Sequence, residues 1–141
     1  MKSNVLLLGV LTALLITAGC NDMVGLRGTI TYSDTGDPVT QGEVHFSTDT
    51  FFSRASIDKN GNYSACTYKE GDGLPPGTYR VAIVSCAEGG DVTVGKNGLT
   101  SGDTMKWFVD KKFASPATSG LTATVDKSTR KIDFKVERPQ K

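Results

Sequence analysis

Histidine is almost absent from this sequence, which has one histidine and three cysteines in 141 residues. A structural zinc site needs four ligands, and His45, Cys66 and Cys86 together would be one short. A Ser–His–Asp triad would depend on His45, which alternation with Val44 and Phe46 directs towards solvent, and no nucleophile elbow is present. The sequence therefore predicts no enzyme activity, no metal site and no cofactor.

A large excess of charge is also missing. The chain has 16 Lys and Arg against 15 Asp and Glu, which argues against a general nucleic-acid binder. The balance is uneven, because residues 20–100 carry 6 basic and 10 acidic side chains, whereas residues 101–141 carry 9 and 5. A basic C-terminal third could face anionic lipid or polymer, although solvated strand faces explain the same excess.

Only one long apolar run occurs, "VLLLGVLTALLITA" at residues 5–18. As a helix it would rise about 21 Å, which is too short for a bilayer core of about 30 Å. Because Lys2 precedes it, the run predicts a secretory signal and not a membrane-spanning helix.

The run ends in "LITAGC", which resembles the bacterial lipobox. The resemblance implies a signal peptide over residues 1–19, lipidation of Cys20, a short tether over 20–25 and a domain over 26–138. The alternative is an ordinary secretory signal with Cys20 as a spare thiol. A lipid anchor implies a place in the cell envelope, and Asn21 after the cysteine favours the outer membrane where two membranes exist.

Helical periodicity is missing after Gly25, and apolar residues alternate with period two instead. In "KIDFKVE", for example, Ile132, Phe134 and Val136 share one face and charged residues share the other. The same pattern recurs in four other segments: 26–32, 43–47, 79–85 and 121–125. Short alternating strands separated by Gly, Pro, Asn and Asp predict an all-β fold, a single transthyretin- or immunoglobulin-like two-sheet sandwich of about seven strands.

The segment "DKNGNYS" (58–64) places oxygen-bearing side chains at alternate positions, as a calcium loop does. An EF-hand loop that began at Asp58 would need Gly at its sixth position and Glu at its twelfth. Those positions hold Tyr63 and Lys69. Asn60–Gly61 instead favours a tight turn, so the segment predicts a hairpin between paired strands.

Three segments resemble the bacterial carboxypeptidase regulatory-like domain: the opening strand around Gly28, S-x-D-x-x-G-x-Y ending at Tyr63, and L-P-P-G-x-Y-x-V over 74–81. The resemblance covers roughly residues 26–137. It implies a transthyretin-like β-sandwich in which the side chain of Leu74 fills one end of the core. It implies little about function, because sites are grafted onto folds.

The closing segment, "FASPATSGLTATVDKSTRKIDFKV" (113–136), resembles the end of small lipoproteins with this domain, where it leads into a last hairpin. Hydroxyisourate hydrolases and intradiol dioxygenases use related sandwiches. The first kind has a C-terminal Tyr-Arg-Gly-Ser signature, whereas this chain ends in "KVERPQK". The second kind holds iron with two Tyr and two His, and this chain has one histidine. Neither activity therefore carries over.

Cys66 and Cys86 form an even pair once Cys20 carries lipid, and the sequence leaves a disulfide between them open. The two Cα atoms would have to come within about 7 Å. In a simple hairpin Cys86 would lie some 20 Å from Cys66. The bond therefore requires the Pro75–Pro76 step to carry the chain between sheets, or a strand to intervene.

The long segment 87–115 is the best candidate for a binding surface, since loops of this length often have a function. Trp107 and Phe108 lie beside Lys106, and such aromatic and cationic side chains can stack on sugar rings or dock a protein. The alternative is that Trp107 covers one end of the sandwich while Phe108 or Val109 enters the core.

Two functions follow as expectations. The first is a lipid-anchored bacterial envelope protein whose β-sandwich has a non-catalytic structural or protein-binding role. The alternative is a carbohydrate- or cell-wall-binding module that uses the aromatic side chains of residues 86–115. The expected partners are the membrane and envelope proteins or polysaccharide, and not nucleic acid.

Overall fold

A computed structural model describes residues 22–89 and 106–140, together with the backbone of two short strands between them, 93–95 and 98–100. The predicted signal peptide and Cys20 lie outside the described residues. Within the described ranges no helix is long and apolar enough to span a bilayer.

The described residues form strands and one helical turn. The strands are β1 (Arg27–Tyr32), β2 (Glu43–Ser47), β3 (Phe52–Ser56), β4 (Asn62–Ser64), β5 (Gly77–Val84), β6 (Ala87–Glu88), β7 (Thr93–Gly95), β8 (Gly98–Thr100), β9 (Lys106–Trp107), β10 (Leu121–Val125) and β11 (Phe134–Val136). A turn of 3-10 helix, Lys111–Ala114, lies between β9 and β10.

Two sheets face each other across the core. One has three strands in the order β11-β1-β4, and the other has four in the order β10-β5-β2-β3. Strand β1 runs parallel to β11, with Ile30 opposite Phe134, and antiparallel to β4, with Gly28 opposite Tyr63. The predicted all-β, two-sheet sandwich is confirmed, and the two main sheets together contain seven strands.

The centre of the core is an aromatic cluster around Phe46, which has no exposed surface. Its ring centroid lies 5.9 Å from that of Tyr63 and 6.4 Å from those of Tyr79 and Phe134. These side chains come from both sheets, because each occupies a core-facing position of its strand. Leu74 is fully buried and belongs to the same core cluster.

The predicted hairpin around residues 58–63 is formed only in part: antiparallel bridges join Ile57 to Tyr63 and Arg54 to Cys66. Strand β3 pairs with β2, and β4 pairs with β1. The two segments are thus joined by isolated bridges and not by a ladder. The turn therefore carries the chain from one sheet to the other. The predicted last hairpin is not formed, since β10 pairs with β5 and β11 pairs with β1.

The turn between β10 and β11 depends on Asp126. Its Oδ1 accepts hydrogen bonds from the backbone N–H and hydroxyl of Ser128, at 2.7 and 2.6 Å, and from those of Thr129, at 2.9 and 3.0 Å. The side-chain and backbone bonds from Ser128, followed by those from Thr129, lower the pKa of Asp126 to about 2 from 3.8. The charged carboxylate thus stabilises the turn.

We expect Asp126→Asn to destabilise the domain at pH 6, and the difference from wild type to shrink as the pH falls from about 4 towards 2. The sign follows because a group with a lowered folded-state pKa contributes stability above its unfolded pKa and loses it as pH falls through the folded pKa. Urea unfolding at several pH values tests this. Asp49→Asn, at a side chain that is 91% exposed, is the control and should change stability little. A penalty of the Asp126→Asn substitution that stays constant down to pH 2 would contradict the prediction.

Residues of the predicted tether, 20–25, contact the sandwich. The Val24 N–H donates to the Leu74 carbonyl at 2.8 Å, and the Leu74 N–H donates to the Val24 carbonyl at 3.0 Å. The side chain of Asp22 forms an ion pair with Lys127 at 2.9 Å. Backbone hydrogen bonding with the sandwich therefore extends to Val24, which lies within the predicted tether.

The segment 87–115 is only partly a loop. Strand β6 pairs with β9, and the β7–β8 pair is nested between them in the sequence. After β9 the chain returns to the core, where Val109 is 1% exposed and Phe113 is 4% exposed. The Asp110 N–H donates to the Glu137 carbonyl at 2.9 Å, beyond the end of β11. Residues 108–120 therefore cover the side of the sandwich where β10 and β11 are edge strands.

Candidate functional site

The described part of the chain has a surface groove of about 910 Å³. Its lining comes from four stretches of sequence: 25–29, 56–64, 70–71 and 130–131. The volume lies within the usual range for ligand-binding clefts, about 300–1,000 Å³. We refer to it below as the β1–β4 groove.

Strand β1 forms the floor of the β1–β4 groove. Its exposed Arg27 and half-buried Thr29 alternate with buried Gly28 and Ile30, so the groove lies on the solvent face of the three-stranded sheet. One wall is the segment 130–131, since the Arg27 N–H donates to the Arg130 carbonyl at 3.0 Å. The other wall is β4 with the loop that contains Glu70.

Several polar groups along the groove are already occupied by the fold. Asp58 accepts from the backbone N–H of Asn60 at 2.8 Å and of Asn62 at 2.9 Å. The hydrogen bonds from Asn62 hold the pKa of the Asp58 carboxyl below its usual value. Lys131 forms an ion pair with Asp133 at 2.8 Å. These charged groups are already bonded within the protein, so they shape the groove and have little capacity left to bind a ligand.

Tyr63 lines the groove but is no acid or base for a ligand. It is 3% exposed, and its hydroxyl donates to the Ile132 carbonyl at 2.6 Å. Burial raises the pKa of Tyr63, so the hydroxyl stays protonated. It therefore ties β4 to the segment before β11, on the far side of β1.

The chemistry available in the β1–β4 groove is binding. Among the residues with described side chains there is no group of three or more His, Cys, Asp or Glu that could hold a metal ion. No buried polar side-chain atom there lacks a hydrogen-bond partner. The groove instead presents guanidinium, hydroxyl, amide and carboxylate groups, which suit a polar ligand.

The structure separates the predicted aromatic site into two parts. Lys106 Nζ lies 5.7 Å from the Phe108 ring centroid, whereas Trp107 is approached by Lys111 Nζ at 5.4 Å. Both aromatic residues are half-buried. Neighbouring residues of an extended chain point to opposite sides, so Trp107 and Phe108 do not form one stacking platform. Neither lines the β1–β4 groove.

The candidate disulfide is not formed, and Cys66 and Cys86 are free thiols. Cys66 bridges to Arg54, which lies opposite His45, and His45 lies opposite Ala82. Three inter-strand spacings, about 14 Å, therefore separate Cys66 from Ala82. Cys86 lies four residues farther along, well beyond the limit of about 7 Å for the Cα atoms of a disulfide.

Neither thiol has the surroundings of a reactive cysteine. Cys86 is 1% exposed, and its Sγ donates to the Gln41 carbonyl at 3.2 Å. Burial raises the pKa of Cys86 to about 11, so it stays a thiol at neutral pH. Cys66 Sγ donates to the Arg54 carbonyl at 3.3 Å.

His45 lies on the outer face of the four-stranded sheet, as alternation predicts. Its Nε2 is 3.0 Å from Glu43 Oε2, and its ring meets the edge of Phe52 at a centroid distance of 5.0 Å. These neighbours hold the imidazole on the sheet surface. Within the described ranges its side-chain hydrogen-bond partner is this carboxylate and not a serine or cysteine.

Comparisons with known proteins give no identification. No protein-family model matches the chain, and no curated protein or solved structure matches it either.

Sequence reasoning missed the β1–β4 groove as a site. Two of its cationic side chains, Arg27 and Arg130, lie more than a hundred positions apart in the sequence, and the parallel pairing of β1 with the last segment brings them together. The available signal was the exposed position that alternation gave to Arg27. That signal says nothing about which residues face it across the sheet.

Proposed function

We propose that this protein is a lipid-anchored component of the bacterial cell envelope whose β-sandwich has a non-catalytic structural or protein-binding role. The observation that carries the proposal is the position of Val24, which is fixed to Leu74 by two backbone hydrogen bonds. Four residue steps from Cys20 span at most about 14 Å. An acylated Cys20 would hold the sandwich directly on the bilayer.

The non-catalytic part of the proposal is supported by the state of the candidate reactive groups. Tyr63 is locked in a hydrogen bond with the backbone, and Cys86 is buried as a thiol. General acids, bases and nucleophiles need accessible groups within reach of a substrate. A carboxypeptidase regulatory-like domain is a further part of the proposal, supported by the places of Gly28 in β1 and of Leu74 in the core.

The alternative function, carbohydrate or cell-wall binding through Lys106, Trp107 and Phe108, has less support. A sugar platform needs an exposed aromatic face beside a cleft. Trp107 is half-buried and lies outside the lining of the β1–β4 groove. Its contact with Lys111 is the feature that favours a sugar ligand.

The anchor is tested by intact mass and membrane fractionation of the full chain with Cys20→Ala. We expect the wild type to start at Cys20 with added acyl mass and to stay in the membrane fraction, because two or more chains anchor stably. Cys20→Ala should lose the acyl mass. Cys66→Ala is the matched control, since it removes a different thiol, and it should stay anchored. A wild-type protein without acyl mass would refute the proposal.

A further inference from the structure

The β1–β4 groove opens at the end of the sandwich where the chain enters from Cys20. Gly25 and Gly71, next to the hydrogen-bonded pair of Val24 and Leu74, are part of its lining. The loop of residues 126–131 lies at the same end, because Lys127 pairs with Asp22 at 2.9 Å. A ligand in this end of the groove would thus lie close to the lipid on Cys20.

The charged groups at this end are not all neutralised by the fold. Lys127 and Lys131 have carboxylate partners, Asp22 and Asp133. Among the described residues, Arg27 and Arg130 have none. The guanidinium of Arg130 donates from Nη1 to the carbonyls of Lys127 and Thr129, at 2.8 and 2.9 Å, which positions it without cancelling its charge.

Two carboxylates also line the groove. Asp58 lies at the far end, beside Asn62, where backbone and side-chain N–H groups satisfy it. Glu70 lies on the wall opposite the segment 130–131 and is exposed. Because Lys131 is paired with Asp133, the near end carries the two unpaired arginines, Arg27 and Arg130, against Glu70, and favours an anion there.

We propose that the β1–β4 groove binds the phosphate of an anionic phospholipid headgroup, with Arg27 and Arg130 as the recognising side chains. The planar guanidinium presents paired N–H donors that match phosphate oxygens. The inference rests on the proposed anchoring, because it is the short connection to Cys20 that places a lipid headgroup at the groove. Its consequence is orientation: the lipid chain tethers the domain, and the headgroup contact fixes which face meets the bilayer.

The test uses the full lipidated protein in vesicles of phosphatidylcholine alone or of an equimolar mixture with phosphatidylglycerol. Hydrogen–deuterium exchange would report on backbone amides of residues 126–131. We expect exchange there to slow by about fivefold for each contributing arginine on the anionic vesicles, the effect of one basic side chain at such a surface. The protection should disappear in high salt.

The variant pair Arg27→Gln with Arg130→Gln should lose this protection while keeping the melting temperature of the domain. The matched control is Arg54→Gln, an exposed arginine on the other sheet, which should keep the protection. The double variant Arg27→Lys with Arg130→Lys retains the charge without the planar guanidinium, and it should keep only part of the protection from exchange. Equal exchange on both kinds of vesicle, or protection that survives both Gln substitutions, would overturn the proposal.

Soluble glycerol phosphate tests whether the groove binds a free phosphate compound or the phosphate of a lipid headgroup. If it protects residues 126–131 on phosphatidylcholine vesicles as well as the anionic vesicles do, the groove takes a free phosphate compound and the lipid assignment is wrong. Intact mass of the same sample shows whether Cys20 carries acyl chains. If Cys20 carries no acyl chains, the proposed anchoring fails. The groove is then tested by adding the same vesicles to the soluble protein. Protection on the anionic vesicles alone would still support headgroup binding.

Discussion

Gly28→Ala should destabilise the domain by on the order of 4 kcal/mol, the sum expected from overpacking and a lost buried hydrogen bond. A Cβ at position 28 would lie 1.7 Å from the Ile132 carbonyl oxygen and 2.7 Å from Tyr63 Cε1. The first atom belongs to the backbone, so no side-chain rotation can relieve the overlap. The Ile132 carbonyl also accepts the hydrogen bond of the Tyr63 hydroxyl, and the clash would break that contact.

Urea and thermal unfolding measure this effect. The melting temperature should fall by on the order of 15 °C in a domain of this size. Gly25→Ala is the matched control three positions earlier, because a Cβ there meets only the Gly71 carbonyl oxygen at an ordinary 3.8 Å. It should change stability by less than about 0.5 kcal/mol. A Gly28→Ala protein as stable as the wild type would show that β1 and the segment before β11 are farther apart than described.

The position of Gly28 shows what the sequence could and could not predict. Period-two alternation placed Ile30 and Phe134 on buried faces correctly, because burial is a property of a single strand. It could not predict that β1 and β11 are parallel neighbours. That pairing joins residues about a hundred positions apart, and no local pattern encodes which strands meet.

The turns illustrate the same limit. The residues Asp58 and Gly61 were correctly predicted to form a turn, since Gly61 has a φ of +79° and Asp58 bonds the local backbone. A short turn ordinarily joins paired strands, so a hairpin was the natural prediction. Here the two arms share only isolated bridges, and the second arm continues into the three-stranded sheet, where Tyr63 lies opposite Gly28. Tertiary packing overrides the local preference.

The candidate site was the least predictable part. Arg27 and Arg130 are each exposed in their own segments, like many surface residues. They line the same groove only because β4 and β11 pair with the two edges of β1. The sequence instead directed attention to Trp107, a rare residue in a long segment. Composition identifies unusual residues, whereas a binding surface made of common residues requires the assembled sheet.

Phe113→Ala should cost about 3–5 kcal/mol, as large-to-small changes of buried aromatic residues do. Phe113 is 4% exposed and lies in the 3-10 turn that covers the open side of the sandwich. The cover is fixed by hydrogen bonds on both sides: the Tyr32 hydroxyl donates to the Phe108 carbonyl at 3.0 Å, and the Ser119 hydroxyl donates to the Val81 carbonyl. Because these contacts hold the backbone in place, the removed ring leaves a cavity that cannot easily collapse.

Trp107→Ala is the informative comparison, because the same segment was the predicted ligand site. Its ring is only half-buried, so removal forfeits part of its apolar contact and should cost about 1 kcal/mol. Urea unfolding of both variants, beside a binding assay with cell-wall polysaccharide, separates the roles. Under conditions in which Phe113→Ala remains folded, its binding of cell-wall polysaccharide should equal that of the wild type.

If Trp107→Ala proves as destabilising as Phe113→Ala, the indole belongs to the core and a sugar platform there is excluded. If it leaves stability nearly unchanged but removes polysaccharide binding, the carbohydrate-binding alternative displaces the structural role, because only a ligand contact would then account for the loss.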